Sequence, residues 1–211
     1  MSQNLSMLFS VPLWTFKAES PLVLNKQLLQ AVKEEKKMDS GVSISNRGGW
    51  QSHGKLHFKE EFKNLVDLIN EHLLQVGKDY GFGAMSSKLK VTSMWANIND
   101  KACSNAMHSH QSPVGMPNPL VISGCYYVKV PKNSGQFVLE DFSRPMRYLQ
   151  LPFQEQNLMN SYTIKVPPKE GSVLFFPAWM EHSVEANHSN EERVSIAFNV
   201  ALINQPMQKK L

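Results

Sequence analysis

His108 and His110, two histidines separated by a single residue, are the first sign of chemistry in this chain. On an extended segment, positions i and i+2 project to the same side, so both imidazoles can reach one ion; a helix would separate them. A third histidine, His182, follows the apolar run Ser172-Val173-Leu174-Phe175-Phe176-Pro177, and Arg193 comes eleven residues later, opening another apolar alternation. Taken singly, each residue has an ordinary explanation. A histidine after Phe-Phe-Pro is usually packed, and an arginine at a strand start is usually a surface ion pair, here with Glu191 or Glu192. Together they fit what a metal centre requires: neighbouring ligands on one strand, a distant ligand brought in by the fold, and a cation near the open coordination positions to hold an anionic co-ligand.

The elements that would position these residues change character near Leu89. Before it, the periodicity is helical. Ser20 as N-cap and Pro21 at the first helical position start one helix, with Leu24, Leu28, Ala31 and Val32 on one face and Gly41 as its stop. Phe62, Leu65, Val66, Ile69, Leu73 and Val76 form the apolar stripe of a second, with Glu60 and Glu61 at its start and Gly77 as C-cap. Between them, Asn46-Arg47-Gly48-Gly49-Trp50 reads either as a backbone pressed close to something or as a plain surface turn. From Leu89 onward the period is two, and strands are predicted over Lys90–Ile98, Leu120–Val130, Gln136–Asp141, Tyr162–Val166, Ser172–Phe176 and Arg193–Ile203. Short strands without intervening helices indicate a sandwich or jelly roll. In Leu120–Val130 the even positions are apolar, whereas Ser123, Cys125 and Tyr127 share the other face. In the last strand Val194, Ile196, Phe198 and Val200 oppose Arg193, Ser195, Ala197 and Asn199. Such a polar face lines a ligand cavity or faces water.

Composition sets the outer limits. A chain of 211 residues with 42% apolar residues can bury a core as a single domain, residues 1–211, with a support region over 1–88 and a β core over 89–204. The charge of +4 and pI near 9.0 come with only 19% charged residues, mostly scattered, which argues for a solvated surface and against a nucleic-acid groove. Cys103 and Cys125 are too few for a disulfide framework and favour a reducing compartment. The N-terminus lacks a basic n-region, and no apolar run approaches the ~18 residues of a membrane helix.

The motifs resemble a known family. His108-x-His110, the later His182 and Arg193-Val194-Ser195 look like the iron(II)- and 2-oxoglutarate-dependent oxygenases. Their double-stranded β-helix, a jelly-roll or cupin-like barrel, carries His-x-Asp/Glu, a distal His and an Arg, often Arg-x-Ser. The likeness covers roughly 91–202 and is closest to the prolyl-hydroxylase-like branch, through Tyr126-Tyr127-Val128 and the segment Pro167 to Phe175. The chain also resembles a set of oxygenases of marine bacteria and their phages that share Asn-x-Gly-Gly-Trp-Gln-Ser, Ser-Gly-x-Tyr-Tyr and Phe-Pro-x-Trp-x-x-His; the matching runs are Asn46–Ser52, Ser123–Tyr127 and Phe176–His182.

The resemblance implies a mostly β double-stranded β-helix with N-terminal α-helices packed outside the barrel. It implies an oxidoreductase, a dioxygenase that hydroxylates a small molecule or a protein side chain using Fe(II), 2-oxoglutarate and O2; the thiol count and the N-terminus point to the cytoplasm, or to a host cytoplasm if the chain is phage-encoded. His108, His110 and His182 would hold the iron. One departure matters: the family has a carboxylate where this chain has His110, and Asp141 is the alternative, either as the carboxylate ligand or as a group orienting a ligand histidine. Arg193 would pair the C5 carboxylate of 2-oxoglutarate, with Ser195 and Tyr127 donating hydrogen bonds. Trp50, Trp95, Asn97 and Trp179 are candidates for the substrate mouth. Two other classes stay open: a three-histidine cupin-type enzyme that does not use 2-oxoglutarate, and a non-catalytic jelly-roll binding module.

Overall fold

In a computed structural model that describes residues 4–5, 8–141, 145, 148–149 and 151–204, eleven strands form two antiparallel sheets facing each other. The strands are β1 (Trp14–Lys17), β2 (Asn46–Arg47), β3 (Trp50–Gln51), β4 (Leu89–Asn99), β5 (Ser104–His108), β6 (Leu120–Lys129), β7 (Phe137–Glu140), β8 (Thr163–Val166), β9 (Ser172–Pro177), β10 (Glu181–Val184) and β11 (Arg193–Leu202). The larger sheet has the order β1-β9-β6-β11-β4-β3 and the smaller β2-β5-β10-β7-β8. From β4 onward, successive strands alternate between the sheets except where β7 leads to its neighbour β8 in the smaller sheet, which gives the double-stranded β-helix that the family resemblance implies. No described helix is long and apolar enough to cross a membrane.

The period-two alternation decides which side chains meet. β11 pairs on one side with β4 and on the other with β6, so Val194, Ile196, Phe198 and Val200 join Met94, Ala96, Ile98, Ile122 and Tyr126 on the outward face of the large sheet. Against that face pack helix α1 (Pro21–Met38) through Leu28 and Val32, and helix α2 (Lys63–Asp79) through Leu65, Ile69, Leu73 and Val76. Pro21 begins α1 as its missing N–H allows, while the Ser20 hydroxyl makes no capping bond. Gly77 has a different task from the cap its position suggests. α2 runs on to Asp79, and a Cβ on Gly77 would lie 2.7 Å from Ser86 Oγ and 2.8 Å from Leu89 Cδ1, so this glycine lets the 3-10 segment Gly83–Lys88 press against the helix.

The sheets are joined by the hairpin between β2, which pairs with β5 of the small sheet, and β3, which pairs with β4 of the large one. At its tip Gly48 and Gly49 both adopt positive φ (64° and 66°), and a Cβ on Gly49 would come within 2.8 Å of the Ile98 carbonyl. The backbone is pressed close there, and a side chain would be both strained and obstructed.

Gly124 in β6 sits opposite Phe198 of β11, and a Cβ there would collide with the Phe198 ring and lie 2.5 Å from the Leu174 carbonyl. Gly124→Ala is therefore expected to lower stability by about 1–3 kcal/mol through overpacking. Gly54→Ala, whose added carbon meets nothing closer than Ser93 Cβ at 3.7 Å, should stay within about 0.5 kcal/mol of wild type, both variants being measured by urea titration.

Candidate metal centre

The inner face of the small sheet brings the histidines together. His182, in β10, is directly opposite His108, at the end of β5. A register shift follows: Val184 lies opposite Asn105, so β5 holds one residue more than β10 over this stretch, and Asn105 and His108, three apart, both line the inter-sheet cavity. His110 lies just past β5, its backbone N–H donating to the Ala178 carbonyl at 2.9 Å, which pins the extended chain against the β9–β10 turn. The ring centroids of the three imidazoles are 4.3–5.1 Å apart. One ligand nitrogen from each lies within 4.8 Å of the others, the group of His, Cys, Asp and Glu side chains among the described residues that could hold a metal ion.

Two of these rings are fixed in a useful tautomer. Nδ1 of His108 lies 2.8 Å from the Ala106 carbonyl and Nδ1 of His182 lies 2.9 Å from the Met180 carbonyl. A carbonyl only accepts, so each Nδ1 carries the proton and each Nε2 offers a lone pair, as metal-binding histidines commonly arrange. Burial lowers the pKa of His110 to about 4 and of His182 to about 3, with repulsion from His108 adding to both. At neutral pH these two rings are uncharged donors, the form a cation requires.

The inner face of the large sheet contributes a cation and several polar groups. Arg193, Ser195 and Ala197 of β11 line the cavity with Cys125 and Ser123 of β6, while Asn199, accepting from Ser123 Oγ at 2.8 Å, and Tyr127, opposite Ser195, share the same strand faces. Arg193 is only 2% exposed. Its Nη1 donates to the Gly135 carbonyl at 3.4 Å, its Cζ lies 5.4 Å from the Tyr127 ring centroid, and its Nε has no hydrogen-bond partner. The neighbouring carboxylates are taken: Glu192 pairs with Lys33 at 2.8 Å and Glu191 with Lys129 at 3.1 Å. The surface ion-pair reading of Arg193 is therefore excluded among the described residues. A buried guanidinium without a counter-ion is costly, and an anionic ligand would relieve the cost. Tyr127 is buried, its hydroxyl is unpartnered, and burial raises its pKa, so the phenol remains a proton donor.

Asp141 stands apart from this cluster. It follows β7, donates its N–H to the Tyr162 carbonyl at 2.8 Å, and lines an adjacent cavity with Leu139, Ile164, Phe176 and Met180. Of the aromatic candidates for the mouth, Trp95 lies 5.5 Å from His110 between ring centroids, and Trp179 is 46% exposed with its Nε1 donating to the Tyr80 hydroxyl. Trp50 belongs to the core, its Nε1 bonded to the Asp39 carbonyl. Sequence reasoning missed Asn105, and it treated Asn97 only as a mouth residue. The first is hidden by the bulge, which breaks the two-residue periodicity.

Three solved structures of similar architecture are distant in sequence. The chain superposes on a viral collagen prolyl hydroxylase from Paramecium bursaria Chlorella virus-1 with a TM-score of 0.58, 14% identity, and coverage of 89% of this chain and 95% of the other. For a Pseudomonas putida prolyl-4-hydroxylase the values are 0.62, 12%, 90% and 92%. For SnoK, a non-haem α-ketoglutarate-dependent carbocyclase from nogalamycin biosynthesis, they are 0.65, 14%, 94% and 85%. No curated protein matches the chain by sequence. Fold and donor set thus define a double-stranded β-helix with a three-imidazole centre. Residues 93–199 match the family described as "Putative 2OG-Fe(II) oxygenase", and the chain belongs to it. It is a 2-oxoglutarate-dependent oxygenase whose cofactor is Fe(II) and whose co-substrates are 2-oxoglutarate and O2.

The depressed histidine pKa values set a pH dependence. Between about 6.5 and 4, the unfolded chain binds protons at His110 and His182 that the folded metal-free protein refuses. Stability from these sites is therefore complete above pH 6.5 and declines as the pH falls towards 4. The urea midpoint of the metal-free protein should drop between pH 7 and pH 5, and a His110→Gln/His182→Gln double variant should show a shallower drop.

Proposed function

We propose that His108, His110 and His182 hold the iron, that Arg193 pairs the distal carboxylate of 2-oxoglutarate with Ser195 and Tyr127 donating further hydrogen bonds, and that the enzyme hydroxylates a small molecule or a protein side chain. The observation that carries this reading is the buried Arg193, without a carboxylate partner among the described residues, on the same cavity as three convergent imidazoles. An enzyme that used the three histidines without 2-oxoglutarate would have no need of such a cation. The similar structures include two prolyl hydroxylases and HygX from Streptomyces hygroscopicus, crystallised with nickel, 2-oxoglutarate and hygromycin B, which supports a substrate drawn from protein side chains or small molecules.

With O2, the iron and 2-oxoglutarate supply the oxidising chemistry that places a hydroxyl on an unactivated carbon. The protein's part is to orient and to shield. Three neutral imidazoles leave the centre one unit more positive than two imidazoles and a carboxylate would, which strengthens its hold on an anionic co-ligand. Arg193 fixes the far end by a charge-assisted fork, and Tyr127, kept protonated by burial, can only donate to a carboxylate. Phe137 and Phe176, both buried on the cavity wall beside His182, exclude water from the donor set.

Each assignment has its own test. His108→Ala and His182→Ala should each abolish stoichiometric iron binding while the circular dichroism spectrum stays close to wild type, because the ligands sit on a preformed β scaffold; full metal occupancy in either variant would remove that histidine from the site. Arg193→Leu should bind iron normally yet lose about 2–4 kcal/mol, roughly 30- to 1,000-fold, in 2-oxoglutarate affinity. Arg193→Lys should fall between, since an ammonium keeps the charge but lacks the planar fork. Calorimetric titration of the anaerobic manganese-substituted proteins measures this, and equal affinity in wild type and Arg193→Leu would return the three-histidine enzyme without 2-oxoglutarate to the front.

A further inference from the structure

The hairpin motif Asn46–Ser52 contains one residue that the fold does not explain. Trp50 fills the core, the Asn46 side chain accepts the Ile44 N–H at 2.9 Å, and Ser52 Oγ accepts the Ala96 N–H at 2.9 Å. Gln51, by contrast, is 4% exposed and its Oε1 is sealed from solvent with no hydrogen-bond partner. Its register partner across β3 and β4 is Asn97, 7% exposed and lining the metal cavity, whose Oδ1 is in the same condition. A buried amide oxygen left unpaired is unfavourable, so two side by side indicate a missing partner.

The position of the pair says what that partner is. Across the large sheet the register runs from Gln51 to Asn97, Ser195 and Tyr127, with Arg193 two residues before Ser195. Of the eight buried side-chain polar atoms without a partner among the described residues, four belong to Gln51, Asn97, Tyr127 and Arg193, so the unsatisfied groups concentrate on this row and the guanidinium beside it. Along β4, Trp95 adjoins His110 at the metal end and Asn99 pairs with Arg193 at the other, which puts Asn97 midway. A ligand reaching from the imidazoles to the guanidinium must pass it. A carboxamide presents either its oxygen or its NH2 to a neighbour by turning half a revolution, and the NH2 is the face that suits an anion.

We infer that Gln51 and Asn97 are co-substrate-binding residues, donating amide N–H groups to the carboxylate of 2-oxoglutarate that lies nearer the histidines. The N-terminal hairpin, outside the strands that carry the metal and arginine motifs, thereby completes the site. The inference rests on the proposed placement of 2-oxoglutarate between the imidazoles and Arg193. Gln51→Leu and Asn97→Leu replace an amide whose oxygen is buried and unpaired by an apolar group of similar size. Each should weaken 2-oxoglutarate binding to the anaerobic manganese-substituted protein roughly 10- to 100-fold in Kd, with metal stoichiometry unchanged. The melting temperature of the metal-free variants should equal or exceed wild type, an outcome a merely structural role would not give. Gln51→Glu, nearly isosteric but, when ionised, unable to donate and repelled by a carboxylate, should also weaken binding at pH 8 and serves if the leucine variants fold poorly. Wild-type affinity in the Gln51 and Asn97 variants, with Arg193→Leu impaired alongside, would overturn the role of the pair alone. Wild-type affinity in Arg193→Leu as well would remove the placement on which it depends.

Discussion

The two-sided pairing of β11 is the constraint on which the site depends. Flanked by β4 and β6, this strand has its register fixed on both edges, and its alternation puts Val194, Ile196, Phe198 and Val200 beneath the helices and Arg193, Ser195 and Ala197 in the cavity. A slip of one residue would exchange the two sets, burying a guanidinium in the apolar core. The apolar face thus secures the polar one. The burial that stabilises the sheet against α1 and α2 is what holds an uncompensated cation inside the protein.

The small sheet performs the complementary task with less material. β5 and β10 are five and four residues long and meet at His108 and His182. Their imidazoles are aimed by backbone carbonyls two residues upstream, so orientation does not depend on an acidic partner. That suits a centre without a carboxylate ligand. Every nearby anion would compete with the co-substrate for the cations, and the described cavity wall holds no carboxylate: its polar groups are imidazoles, carboxamides, hydroxyls, a thiol and the guanidinium.

The fold was largely legible because the long strands of the large sheet carry clean alternation: β4, β6, β9 and β11 were predicted within one or two residues of their observed ends. The three histidines and the arginine were legible through spacing. What escaped were the short strands β2, β3, β5 and β10, whereas β7 and β8, equally brief, are predicted to within one residue. β5 and β10 hold Asn105, His108 and His182 in runs too brief and too polar to show a period, and the bulge between them moves Asn105 to a face that strict alternation denies it. Gly77 misled for a related reason: a glycine at a helix end suggests a cap, whereas this one answers to Ser86 and Leu89, whose approach is a tertiary matter. Gln51 was visible as part of a motif, but its burial opposite Asn97 follows from a two-residue strand that propensity does not reveal.

The division of labour between the sheets has a mechanical corollary. Two of the three clustered histidines are on strands of the small sheet, and Arg193, Ser195 and Tyr127 are all on the large one. A molecule in contact with both groups is a tie-rod across the sandwich, loaded whenever the layers shear or separate. Occupancy of the cavity would then damp the breathing of the whole barrel, and the backbone amides of β5 and β10, far from the helices, would register the change in their hydrogen-exchange rates as sharply as those of β11.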